Sequence, residues 1–228
     1  YDNVVVGDNV TICNDVVLGE PVSDYYSNPA YQNPTTTIGD GSLIRSHSII
    51  YAGTTIGSRF SCGHRITIRE HTTVGTNCAI GTLSDIQNQV TIGDYCRLHS
   101  HVTLGTDCRI GNFVFMYPFS IMTNDPTPPS EEIVGGFIGD YTQVSVHTII
   151  LPGIHVGQHC LIGANSLVSK RLPDYSLAMG NPAQVIIDIR KYVVMGKGKP
   201  YPWMTRFSRG MPWQDKGYEA WQIGRAHV

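Results

Sequence analysis

The chain has 228 residues, 41% hydrophobic and 15% charged, with a formal net charge of -2. That length supports a real core, most economically one domain with appendages. The charge balance offers no electrostatic basis for capturing nucleic acid or an anionic membrane. No apolar run approaches the roughly 20 residues that a membrane helix needs.

Tyr1 opens inside a patterned segment, so a targeting signal preceding it would lie outside the given residues. Val6, Ile12 and Leu18 stand six residues apart, and the run then breaks at GEPVSDYYSNPAYQNPTTT, read as a loop over residues 19–37. From Ile38 to Met122 every sixth residue is Ile, Leu, Val or Met, with Cys62 the exception. The residue four places after each anchor is mostly small, as in Ser42, Ser48, Thr72 and Ser84. Glycine often follows the anchor directly, as in Gly57, Gly75 and Gly81.

Helical spacing and hairpin alternation both fail to fit this pattern; a short strand and tight turn per hexad fit it. Three hexads make one triangular coil of eighteen residues, with anchor and small residue both inward. The anchors then supply about eight coils of an all-β parallel solenoid, roughly 38 Å long at the ordinary strand spacing. Phe60, a large residue at a small site, stands two before Cys62, which predicts volume compensation. Cys62, Cys78, Cys96, Cys108 and Cys160 are expected to pack as buried thiols rather than as disulfides or metal ligands, which suits the cytoplasm.

The motif RLHSHVTLG places two imidazoles in one turn. In eighteen-residue coils His101 lies over Phe119. His147 joins that column once the ten-residue excess of the next loop is subtracted. His99 similarly stacks with Tyr117 and Ser145. For each of these histidines an exposed turn position is the alternative; it is the expected state of His47, His64, His71, His155 and His159. TNDPTPPSEEIVGGF, residues 123–137, is the second loop, stiffened by Pro126, Pro128 and Pro129. It is read as functional or as a neutral surface insertion.

The hexads resume from Ile138 to Val168, completing a unit over 4–170. In the extension, 171–222, MGNPA reads as a turn and AQVIIDIRKY as a short helix or edge strand. The segment GKGKPYPWMTRFSRGMPWQDKGYEAW reads either as a tail docked on its own or a neighbouring surface, or as a lid over a nucleotide. IGRAHV, residues 223–228, is the translation of ATC GGA AGA GCA CAC GTC, a sequencing-adapter string, and is excluded from functional argument.

The hexads, the loop MTNDPTPPS and the terminal LIGANSLVSKRLPDYSLAMGNPAQVI together resemble the hexapeptide-repeat acyltransferases, especially those acting on sugars and nucleotide-sugars. The resemblance implies a left-handed β-helix, contrary to the usual crossover hand, a homotrimer, and acyl-CoA in the groove between two prisms. It places acyl-CoA contacts at Gly163, Ala164, Ser166, Lys170, Arg171, Gly180 and Pro182, and Ser145, on the His99 column, is expected to join them. Here the loop carries Asn124 and Asp125 where related antibiotic-modifying enzymes carry a catalytic histidine. For a hydroxyl acceptor, His99 or His101 is then the expected base. For a neutral amine, Asn124 and Asp125 would orient the acceptor, with Tyr117 and His147 as further contacts. No metal is expected. Two other readings are a zinc enzyme like the gamma-class carbonic anhydrases, with histidines shared across subunits, and a non-catalytic binding solenoid.

Overall fold

The computed structural model describes residues 1–225; residues 226–228 of the adapter-like hexapeptide lie outside it. Each hexad forms a strand of two to four residues that contains its anchor and ends at or within two residues of it. Successive strands visit three parallel sheets in turn, giving faces of eight, ten and eight strands. Register confirms the eighteen-residue coil: Thr73 pairs with Thr91 and Val74 with Ile92. Ile110 pairs with Ile138, so the second loop adds ten residues without disturbing register.

Anchors from Ile38 to Val168 are buried, and the small sites Ser42, Thr72, Cys78, Cys96 and Cys160 are buried with them. Each buried anchor contributes about 1.5–3 kcal/mol. Val6 and Ile12 in the first coil instead remain 41% and 44% exposed, having coil packing on one side only. Small side chains recur at the interior site because many donate to a carbonyl of the next coil. Thr72 Oγ1 reaches the Gln87 carbonyl at 3.0 Å, and Cys78 Sγ reaches that of Gly93 at 3.0 Å. Around Cys62 both Phe60 and Ile66 are fully buried. Ile66 is therefore a second large residue at a small site, and the volume compensation is shared.

The turns explain the corners. Twenty non-glycine residues, mostly three places after an anchor, hold φ between 55° and 62°. For L-residues this left-handed conformation costs about 1–2 kcal/mol, yet Leu83, Phe113, Phe119 and Tyr141 adopt it. Ring stacking offsets the cost, contributing about 0.5–1.5 kcal/mol per pair. Tyr95, Phe113, Tyr141, His159 and Tyr175 form one continuous ladder with centroids 4.7–5.2 Å apart. His159, expected as an exposed turn residue, is thus a rung of this ladder.

Past the coils, Ser176–Gly180 and Ala183–Asp188 pair antiparallel around the MGNPA turn and extend the second face. AQVIID is therefore an edge strand, followed by a 3-10 turn at Ile189–Lys191. The tail folds back on its own chain and forms a second apolar cluster of Phe113, Phe115, Trp203, Met204, Met211, Trp213 and Tyr218. It ends in the helix Tyr218–Arg225. No helix among the described residues is long and apolar enough to cross a membrane.

Candidate active site

The second face and the tail enclose a cavity of about 640 Å³. Its floor is Ser61, Arg97, Phe115 and Gln143, outward-pointing neighbours of second-face anchors. His99 and Tyr117 form its edge, and Trp203, Arg206, Phe207, Arg209 and Gly210 its roof. A shallower groove continues past Gly63 and Gly81 to Arg45, sharing Ser61, Arg97 and His99.

His99 occupies the site directly after a second-face anchor, where the two preceding coils have Gly63 and Gly81. Its backbone is tightly placed. Its N–H donates to the Met116 carbonyl at 2.8 Å, and its carbonyl accepts from the buried Ser84 hydroxyl at 3.1 Å. Ser84 Oγ also accepts from the Val102 N–H at 3.2 Å, tying both ends of the turn. Gly81 lies against this turn: a Cβ there would meet the Ser100 nitrogen at 2.3 Å. The His99 ring stacks on Tyr117 at 4.8 Å, and no side-chain hydrogen bond engages its nitrogens among the described residues. Desolvation by the surrounding protein lowers its pKa, favouring the neutral imidazole.

His101 stacks on Phe119 at 4.6 Å and Phe119 meets His147 edge-on at 5.0 Å, so the expected column exists. Neither histidine lines the cavity. Phe119 separates them, and no group of three or more potential metal ligands occurs among the described residues.

The other expected contacts divide between corners. Ser145 and Gly163 continue the line of His99 and Tyr117 through successive backbone bonds, Tyr117 N–H to Val144 and Ser145 N–H to Ile162. Gly163 abuts Met179, since a Cβ there would lie 2.8 Å from the Met179 Cβ. Ser166 is buried: its hydroxyl donates to the Gly163 carbonyl at 2.6 Å and accepts from the Gly180 N–H at 3.2 Å. It therefore braces the end of the groove instead of pointing into it. Ala164, Gly180 and Pro182 are exposed nearby in the chain fold, whereas Lys170 and Arg171 are exposed at the next corner, beyond the last third-face strand.

Asn124 and Asp125 also follow a third-face strand, away from His99 within this chain. The Asn124 carbonyl accepts from Val134 at 2.8 Å. Asp125 accepts from the Thr127 N–H, the Ser130 N–H and the Ser130 hydroxyl at 3.0, 2.9 and 2.6 Å. These bonds, the hydroxyl foremost, lower its pKa and commit the carboxylate to shaping the loop.

Sequence reasoning missed Ser84, Arg97 and the tail residues of the cavity. Ser84 carried a signal, since residues fifteen and eighteen further on define the turn it ties. Tyr95, Phe113, Tyr141 and His159 follow the same coil arithmetic that found His101 over Phe119, whereas Tyr175 stacks on His159 because the final coil is two residues shorter. The tail has no period and offered none.

Comparison with known proteins agrees with this architecture. The bacterial transferase hexapeptide (six repeats) matches residues 71–106, and the hexapeptide repeat of succinyl-transferase matches residues 150–170. A Bacillus subtilis (strain 168) protein provisionally named an acetyltransferase, YvoF, is 31% identical over 75 residues, 33% of this chain and 44% of that protein. The dTDP-3-amino-3,6-dideoxy-alpha-D-galactopyranose 3-N-acetyltransferase of Aneurinibacillus thermoaerophilus is 38% identical over 42 residues, 18% of this chain and 22% of its own. The matches thus span less than half the length of these curated relatives. Among solved structures, UDP-N-acetylglucosamine acyltransferase from Campylobacter jejuni superposes with a TM-score of 0.61 at 20% identity, covering 85% of this chain and 78% of that one. A galactoside acetyltransferase in complex with coenzyme A gives 0.50 at 22% identity, covering 56% and 71%. The hexads, the three parallel faces and these likenesses together show a hexapeptide-repeat β-helix whose fold is that of the acyltransferases it resembles.

Proposed function

We propose that the protein transfers an acyl group, acetyl in the first instance, from acyl-CoA to a hydroxyl or amine of a sugar or nucleotide-sugar. The observation that carries this reading is His99, an imidazole with no side-chain hydrogen bond among the described residues, at the edge of a cavity of about 640 Å³ on a hexapeptide-repeat column, where burial favours its neutral form. As the acceptor oxygen or nitrogen attacks the thioester carbonyl, His99 takes its proton. As the C–S bond breaks, the imidazolium returns that proton to the sulfur, releasing CoA thiol and the acylated sugar. No protein nucleophile is acylated. Of the two candidate bases His99 is preferred, because His101 lies outside the cavity.

The corner line His99, Tyr117, Ser145 and Gly163 spans three coils, roughly 14 Å, and supplies a lane for the pantetheine arm toward Ala164, Gly180 and Pro182. Lys170 and Arg171 are the cations assigned to a CoA phosphate. A homotrimer is part of the proposal: it would bring Asn124 and loop 123–137 of one copy to the histidine corner of the next. In support, Phe119, Val146 and Ile149 remain 47%, 38% and 38% exposed beside that corner. Cytoplasmic placement fits six free cysteines and an acyl-CoA donor. A thiol-release assay with acetyl-CoA against amino sugars and nucleotide-sugars tests the reading. No release with any acceptor, or with longer acyl-CoAs, would remove it.

A further inference from the structure

We propose that the tail-roofed cavity binds a nucleoside diphosphate, its ring among Phe115, Trp203 and Phe207 and its phosphates on Arg97, Arg206 and Arg209. The inference deepens the acyl-transfer reading and rests on it only for the molecule that carries the nucleotide.

Charge segregation is the first support. The chain is net negative, yet neither the cavity nor its continuing groove is lined by a carboxylate, while Arg45, Arg97, Arg206 and Arg209 all face them. Elsewhere arginines do receive carboxylates: Arg69 pairs with Glu70, Arg109 with Asp107 and Arg190 with Asp188. No ion pair forms at the cavity arginines among the described residues. Arg97 is partly buried and bonds only to neutral carbonyls, those of Asn77, Cys96 and Gly210, the last at 2.9 Å. Burial accordingly disfavours its charged form. A bound polyanion would supply the missing counter-charge, and arginine forks suit phosphate oxygens.

The rings supply the second support. Trp203 and Phe207 meet Phe115 edge-on, at 5.0 Å and 5.4 Å, and lie 6.3 Å from one another at 56°. Trp203 is buried, whereas Phe207 keeps 36% of its surface exposed. Such walls favour a flat heterocycle over a bare phosphate. The Gln143 amide and Ser61 hydroxyl, engaged in no side-chain hydrogen bond among the described residues, could read its edge. The volume lies within the usual range for a small-molecule site. His99 on the rim would then meet a group carried beyond the phosphates.

Two molecules present this chemistry: the nucleotide of an activated-sugar acceptor and the nucleotide of CoA. Calorimetry and tryptophan-fluorescence titrations with dTDP, UDP, GDP and adenosine 3′,5′-bisphosphate separate them. One-to-one binding is expected, with the matching free nucleoside at least about tenfold weaker. Arg206→Gln/Arg209→Gln should weaken the diphosphate by about tenfold or more with unchanged thermal melting, because both side chains are exposed. Phe207→Ala should weaken nucleotides without affecting pyrophosphate. Preference for a pyrimidine or guanine diphosphate assigns the site to the acceptor; preference for the adenosine bisphosphate assigns it to the donor. No binding at millimolar nucleotide, or equal binding by the double variant, overturns the proposal. If thiol release still proceeds with free amino sugars in that case, acyl transfer survives and only the cavity assignment falls. Nucleotide binding without acyl-CoA turnover gives the converse.

Discussion

Trp203→Ala tests whether the tail is a separately docked layer. Trp203 is only 7% exposed, packs on Phe115 at 5.0 Å and Trp213 at 5.9 Å, and donates Nε1–H to the Tyr141 carbonyl at 2.9 Å. Truncating a buried tryptophan costs about 3–5 kcal/mol. The loss falls on the tail cluster, which is distinct from the cluster inside the coils. The docking equilibrium should therefore shift by about two to nearly four orders of magnitude toward the open tail. Limited trypsin digestion reads this directly, since Arg206, Arg209 and Lys216 lie in the tail and cleavage follows the open population when closing is fast. Cleavage in 200–217 should accelerate at least about a hundredfold, while far-UV circular dichroism of the coils melts as before. Met195→Ala, at a residue 96% exposed, should change neither. Unaltered cleavage, or loss of the coils together with the tail, would refute the two-layer reasoning.

His99→Ala should lower kcat by about 10²–10⁴. In the wild type, the lowered His99 pKa keeps the base neutral to more acid pH. The acid limb of kcat/KM should therefore fall below the ordinary histidine value of about 6.5, and a limb at or above that value would contradict the assignment. Ser84→Ala leaves the Val102 N–H and His99 carbonyl without their shared partner; about 1–3 kcal/mol of stability should be lost, with a drop in kcat visible in parallel melting and turnover measurements. Lys170→Ala/Arg171→Ala should raise the KM for acyl-CoA about tenfold with kcat little changed, and unchanged KM would detach these cations from the donor. Asp125→Ala should make loop 123–137 markedly more sensitive to proteinase K, because three hydrogen bonds then vanish from its tip.

Sequence alone determined the coil number, the register across the second loop and the stacking of His99 on Tyr117 and His101 on Phe119. A parallel β-helix turns a fixed separation of eighteen residues into spatial contact, so periodicity along the chain becomes adjacency in three dimensions. The same arithmetic would have revealed the ladder from Tyr95 to His159, but not its last rung, Tyr175, where the final coil is two residues shorter. The hexad pattern already placed Ser166 inward; only tertiary structure decided that Asp125 serves its own loop and that His99 rather than His101 faces a cavity. The hexad pattern carries no information on hydrogen bonding within the second loop or on which turn residue the tail roofs. The cavity itself also lay beyond sequence reasoning. Arg97 meets Gly210 across 113 residues, and an aperiodic tail finds its seat by shape and aromatic packing, for which no regular spacing exists to be read.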